Sequence, residues 1–371
     1  MIKNYSGKIA FACAMVAVAL VSRIMYPRMY SVATGNSGVA TTSLPAAIPQ
    51  FVLPALSLAT IDPPADPTSG PANPPAPSVK GSDDQNANAG AVTGGSPAAP
   101  AVTPNASTIF VAPQGPVANS TFSHVGAGAP PALAAEAALV ADLTTGARFM
   151  GQNASERWPL ASVTKLMTAT VVLDKMSPAQ KITITQDAFN VDPSEKNLHV
   201  GDTYTTGDLL RFLLLPSSNV AAEALADAYG RTGFIAEMNA RATAWGMANT
   251  HYADPSGLAV GSQSTANDLV LLAQKIYSDY PDILTITRTS PVTVTEIGSG
   301  DQVVVKSINE FAGETDFIGG KTGYTDQANG NLLSIFSYEG HPIVVVMLGT
   351  DDGTRFANTE TLYNWFTANF R

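Results

Sequence analysis

The feature that most limits what this chain can fold into is a break in composition near residue 130. Between residues 29 and 135 only five charged side chains occur, Asp62, Asp66, Lys80, Asp83 and Asp84, among Pro, Ala, Gly, Ser, Thr and Asn. So little large apolar surface cannot offset the entropy of ordering, and residues 29–130 are expected to form a disordered linker. Residues 131–371 carry aromatics, branched aliphatics and charges in ordinary globular proportion and are long enough to bury a sizeable core.

Ahead of the linker, in residues 1–28, Lys3 and Lys8 precede an unbroken apolar run from Ile9 to Val21, and Arg23 and Arg28 follow it. A helix over that run is roughly 20 Å long, short of the ~30 Å hydrocarbon core of a bilayer. Two readings stay open. One is a cleaved signal peptide with small residues at Ala17-Val18-Ala19. The other is an uncleaved anchor extended to about Tyr26, with Lys8 and Arg23 snorkelling to the interface. Either exports the rest of the chain, to the outer face of the cell membrane if anchored and to the surroundings if cleaved. About 100 flexible linker residues would span roughly 50–60 Å, enough for a tethered head to work away from the bilayer.

The segment 131–371 holds 15 basic and 26 acidic residues, a net charge of −11. Without a basic face it is not expected to bind nucleic acid. Cys13 is the only cysteine, which excludes a disulfide framework and a thiolate metal site. His124, His199, His251 and His341 are scattered without ligand spacing, so no metal is expected.

Hydrophobic periodicity outlines the globular part. Residues 137–143 and 148–152 read as a hairpin turning at Thr144-Thr145-Gly146, and 181–185 as a short strand. Helices are expected over 162–175, 206–215, 219–229, 232–245 and 265–280. Strands follow at 301–306, 317–321, 331–338 and 342–348, and a helix over 353–370 closes the chain. Strands at both ends with helices between them predict an α/β architecture of the α+β type, with one sheet built from distant segments and a helical subdomain.

Three short motifs carry chemistry. In Ser162-Val163-Thr164-Lys165, residues three apart share a helix face, so the hydroxyl and the amine can meet. A serine becomes a nucleophile when a base takes its proton, and a lysine serves if burial or a second cation keeps it neutral. By chance alone roughly 0.8 such S-x-x-K pairs are expected in this composition, so this motif has no weight by itself. Ser217-Ser218-Asn219 lies at a turn opening a helix, where the bland reading is an N-cap; Ser307-Ile308-Asn309 repeats the spacing. Lys321-Thr322-Gly323 is far rarer, about 0.08 expected. It suits a strand edge, with Lys321 supplying charge, Thr322 a hydrogen bond to a carboxylate, and Gly323 room for a substrate backbone.

The order S-x-x-K, S-x-N, K-T-G is that of penicillin-recognising serine enzymes. Over about 133–371 the chain resembles the low-molecular-mass penicillin-binding proteins, specifically the serine-type D-alanyl-D-alanine carboxypeptidases. The likeness extends to Pro159-Leu160-Ala161, the stretch from Asn249 to Leu258, Thr265-Ala266-Asn267-Asp268-Leu269, Gly320 through Thr325, and Arg355-Phe356. The resemblance implies an antiparallel sheet flanked by helices. It also implies a Ser162 acyl-enzyme on a peptidoglycan stem peptide ending in D-Ala-D-Ala, with Lys165 as base and no cofactor. Ser217 would relay protons and Asn219 would contact substrate amide or Lys165. Lys321, Thr322 and Arg355 would bind the terminal carboxylate, and the N–H groups of Ser162 and Tyr324 the oxyanion. β-Lactam antibiotics would be covalent inhibitors. Many members place a β-rich domain and an anchoring helix after the catalytic domain; here Arg371 is the last residue, and the anchor is expected at the N-terminus.

Three other functions compete. A β-lactamase of the kind that places E-x-x-L-N between the last two motifs is disfavoured, because no such string occurs there. A D,D-endopeptidase cutting cross-links uses the same motifs. A silent wall-binding protein suits the tether but not the intact motif side chains.

Overall fold

In the computed structural model, residues 108–371 except residue 352 are described; the apolar run Ile9–Val21 and most of the expected linker lie outside them. The central element is a six-stranded antiparallel sheet. In chain order its strands are β1 (Ile109–Val111), β2 (Ala137–Asp142), β3 (Arg148–Gln152), β4 (Phe317–Thr325), β5 (Asn329–Tyr338) and β6 (His341–Thr350). They lie in the order β1-β3-β2-β6-β5-β4, so β4 is an edge strand and β6 bridges the two chain halves.

The continuous apolar run of β6 follows from burial on both faces. Val344, Val346 and Leu348 join the core beneath the helical region, while Ile343, Val345 and Met347 join a second core on the opposite face. The first core is completed by α1 (Lys165–Lys175), α2 (Gln186–Asn190), α3 (Thr206–Leu214), α4 (Asn219–Tyr229), α5 (Arg231–Ala244), α6 (Ala266–Asp279) and α7 (Pro281–Thr287). The second lies under α8 (Arg355–Asn369), through Phe356, Leu362, Trp365 and Phe366. Side-chain caps start several helices: Thr205 accepts from Asp208 N and Thr265 from Asp268 N, each at 3.1 Å.

The expected boundary at residue 131 needs correction. Residues 109–111 pair with β3, Gly115–Pro116 pairs with Ser123–His124, and His124 stacks on Phe370 with centroids 4.5 Å apart. Phe122 is buried against the α8 core. Low charge density marks neutral edge strands as readily as linkers, so composition alone places the boundary about 20 residues late. Three smaller differences are local. Helices α2 and α7 were not expected; each is at most seven residues, too short for a periodic pattern to show. The strand expected over 301–306 is present as Gln302–Val305, but it pairs with the unexpected strand Val292–Thr295 in a separate hairpin outside the six-stranded sheet. Strand β4 runs on to Thr325, which places Lys321-Thr322-Gly323 inside an edge strand instead of at its end.

Candidate active site

Ser162 lies on a 3-10 turn, Ala161–Thr164, and α1 proper begins at Lys165. Ala161 holds a left-handed φ of 46°, unusual for a residue with a side chain. The turn is gripped from three sides. A Cβ added to Gly257 (φ +86°) would lie 1.8 Å from Ala161 O, and one on Gly323 would lie 2.9 Å from Leu160 O. Asn331, opposite Gly323 on β5, donates from Nδ2 to Pro159 O at 2.8 Å and Leu160 O at 3.0 Å. Gly323 therefore makes room for the serine turn, a demand that the motif alone did not reveal.

Helix α1 is buried throughout Lys165–Val172, so the Lys165 side chain runs through the core to the site with no exposure. Its Nζ lies 2.7 Å from Ser162 Oγ, 2.7 Å from Asn219 Oδ1 and 2.8 Å from Ser256 O. Burial lowers its pKa to about 7, against the opposing charges of Asp254, Asp192, Glu223 and Glu195. When neutral, the amine has two protons for Asn219 and Ser256 and one lone pair left, directed at Ser162. The arrangement is able to take the serine proton.

Ser218, not Ser217 or Asn219, caps α4: its Oγ accepts from Ala221 N at 3.1 Å. That leaves the residues on either side for the cleft. Ser217, with φ 68°, accepts from Lys321 Nζ at 2.8 Å. Lys321 is buried on β4 and also donates to Thr322 O at 2.9 Å. Burial, then the charges of Lys165 and Arg355, hold its ammonium well below the usual lysine range. Thr322 and Gly323 are buried beside it, and Tyr324 is 45% exposed. Arg355 opens α8, with its guanidinium 5.2 Å over the Phe356 ring.

Thus the structure brings five motif side chains into one cluster made of two hydrogen-bonded groups, Ser162–Lys165–Asn219 and Ser217–Lys321. The Ser217–Asn219 turn and the charge of Lys165 on Lys321 join the two, and Thr322, Gly323 and Tyr324 continue along the strand of Lys321. Arg355 reaches the cluster through its charge on Lys321. The repeated spacing Ser307-Ile308-Asn309 is a loop turn instead, in which Ser307 Oγ accepts from Asn309 N and Asn309 Oδ1 from Phe311 N.

Sequence reasoning did not assign roles to Asp192, Glu195, Asp254, Ser256 or Asn331. Asp254 is buried and accepts from Ser256 Oγ, Ser262 Oγ and the N–H groups of Gly257, Leu258 and Ala259, which shapes the loop that offers Ser256 O to Lys165. The available signal was an Asp followed by Pro-Ser-Gly, a turn pattern, and for Asn331 a lone amide in an apolar strand. Among the described residues no cluster of His, Cys, Asp or Glu is arranged to hold a metal ion.

The family model for D-alanyl-D-alanine carboxypeptidase matches residues 124–352. A D-alanyl-D-alanine endopeptidase of Pseudomonas aeruginosa is 32% identical over 242 residues, 63% of this chain and 77% of the relative. D-alanyl-D-alanine carboxypeptidase DacB2 of Mycobacterium tuberculosis is 31% identical over 235 residues, 61% of this chain and 80% of that one. The structure of penicillin-binding protein D2 from Listeria monocytogenes in its ampicillin-bound form superimposes with a TM-score of 0.56 at 30% identity, covering 64% of this chain and 98% of that one. With the family model spanning more than half of its length, the chain belongs to the D-alanyl-D-alanine carboxypeptidase family.

Proposed function

We propose that the protein is a serine D,D-carboxypeptidase that removes the terminal D-Ala from peptidoglycan stem peptides. The observation that carries this reading is the coordination of Lys165: its two other partners leave the amine lone pair for Ser162. Lys165 takes the Oγ proton as Ser162 attacks the carbonyl of the penultimate residue. The N–H groups of Ser162 and Tyr324 receive the developing oxyanion. Ser217, held by Lys321, gives its proton to the departing D-Ala amine and takes the one Lys165 carries, which leaves Lys165 neutral again, while Lys321, Thr322 and Arg355 hold the carboxylate. Water, deprotonated by Lys165, then releases the shortened peptide from the ester and restores Ser162.

A fluorescent penicillin is expected to label the full chain stoichiometrically and to leave Ser162→Ala unlabelled. An unlabelled wild type would sink the acyl-enzyme reading. The second reading, cleavage of cross-links, is favoured by the similarity to the Pseudomonas endopeptidase. Mass analysis of products from a pentapeptide monomer and a cross-linked dimer separates the two: release of D-Ala from the monomer is expected, and cleavage of the dimer alone would replace the carboxypeptidase reading.

We also infer that the N-terminal segment tethers this head to the outer face of the cell membrane, supported by the apolar run Ile9–Val21 between basic flanks. Among the described residues no helix is long and apolar enough to cross a membrane, and that run lies outside them. Cell fractionation is expected to find the full chain in the membrane pellet and a variant starting at residue 105 in the soluble fraction. The cut stops there because Ile109–Val111 belongs to the sheet. Equal partition of the two would refute the tether.

A further inference from the structure

The segment Val191–Asn197 between α2 and α3 carries two carboxylates behind the Ser217–Asn219 turn, and both divide their oxygens in the same way. Asp192 ties Oδ1 to its own segment, accepting from Ser194 N at 3.2 Å and Ser194 Oγ at 2.5 Å, and turns Oδ2 to Asn219 Nδ2 at 2.9 Å. Glu195 accepts with Oε1 from Lys196 N at 2.9 Å and Asn197 N at 2.8 Å, and with Oε2 from Ser218 Oγ at 2.5 Å. Each carboxylate thus fastens its loop with one oxygen and the active-site turn with the other.

The contact on Asn219 has a chemical consequence. An asparagine amide is nearly symmetric in shape, and its two ends differ only in donating or accepting. Lys165 needs the accepting end, Oδ1, because a neutral amine that meets an amide NH2 would turn its lone pair to that group and away from Ser162. An acceptor on Nδ2 settles the choice, and Asp192 is that acceptor. We propose that Asp192 is a positioning residue of this site, fixing the Asn219 amide so that Lys165 directs its lone pair at Ser162, with Glu195 bracing the same turn through Ser218.

Asp192 also acts by charge. The ionisable groups facing Lys165 are Asp192 and Glu195 from this segment, Glu223 from α4 (paired with Arg231), Asp254 from the loop before α6, and Lys321 from β4. A carboxylate favours the ammonium form, so removing Asp192 lowers the pH at which Lys165 becomes a base. Asp192 itself stays ionised: burial opposes this, but hydrogen bonds from Ser194 and Asn219 and the charge of Lys165 prevail.

The inference rests on the acyl-enzyme reading, and the test separates the two. Penicillin labelling of each full-length variant first counts folded, acylable sites. Among labelled enzyme, Asp192→Ala is expected to lower kcat about 10–100-fold with KM little changed, and to move the acidic limb of the pH profile downward. Asp192→Asn keeps an acceptor without the charge; it should recover most of kcat while retaining the shifted limb. A merely structural role would reduce the labelled fraction and the melting temperature but leave the limb in place. Wild-type kcat and limb in labelled Asp192→Ala would overturn the inference, as would Asp192→Asn being as slow as Asp192→Ala. A wild type that does not label would instead overturn the acyl-enzyme reading.

Discussion

Lys165→Met is expected to slow acylation by a penicillin roughly 10²–10⁴-fold, the range for removal of a positioned base. Methionine keeps most of the buried volume and removes the amine, so the loss belongs to proton transfer and not to a cavity. The change leaves Asn219 Oδ1 and Ser256 O without their donor, at about 1–3 kcal/mol for a buried acceptor, so a thermal melt is read beside the rate. In the wild type, the acidic limb of kcat/KM is expected near pH 7, where burial places the Lys165 pKa. Below that pH Lys165 is an ammonium without a lone pair and activity falls; above it the base is free. Lys321 shares the pocket, so the limb belongs to the coupled pair. Removing the second cation in Lys321→Ala lets Lys165 hold its proton more tightly, and the limb should move upward. Single-turnover acylation across pH 5–9 reads both effects. A methionine variant that acylates at the wild-type rate would exclude Lys165 as the base.

The second large effect is expected at a residue with no functional group. Gly257→Ala puts a methyl where Ala161 O and Thr164 Oγ1 already lie, 1.8 and 2.8 Å away, at a left-handed φ. Neither neighbour is a flexible chain end, because one is the backbone of the nucleophile turn and the other belongs to a buried threonine. The turn must move, and a displacement of about 1 Å at the nucleophile costs on the order of 10²-fold in rate. Overpacking adds about 1–3 kcal/mol of lost stability. Gly340→Ala is the control: it shares the positive φ (+81°) but has nothing within 4 Å, and it lies at the far end of β5 and β6. That variant should lose only the left-handed strain, about 1–2 kcal/mol, and keep full activity. Equal activity in the two variants would show that the serine turn is not clamped by Gly257. Rates and thermal melts measured together decide the point.

Much of the fold was legible because period and burial agree. The helices over residues 206–214, 219–229, 231–244 and 266–279 were expected within one or two residues, since each is long and two of them have a Thr-x-x-Asp cap. The strand at 342–348 was visible as an apolar run because both of its faces are buried. The edge strand Ile109–Val111 was not visible. It is three residues long, two of them are half exposed, and it gains order only by pairing with β3. The site divides in the same manner. Side chains that act directly appear as motifs, since their chemistry demands a residue type at a spacing. Those that position them, such as Asp192, Asp254 and Asn331, need only a donor or an acceptor at one point in space, which many residues at many sequence positions could supply.

The composition break, the long helices, the apolar run of residues 342–348 and the order of Ser162, Lys165, Ser217, Asn219, Lys321, Thr322 and Gly323 could be read from the amino-acid sequence alone. Each follows from local pattern or residue chemistry. It took the folded chain to show that Ser218 and not its neighbours is the cap, that Gly323 lies against the serine turn, and that Lys165 is fully buried among the oxygens of Ser162, Asn219 and Ser256. Those facts depend on chain segments up to about 170 residues apart arriving at one place. The pKa of a buried amine, and so its use as a base, is a property of that meeting and not of the lysine.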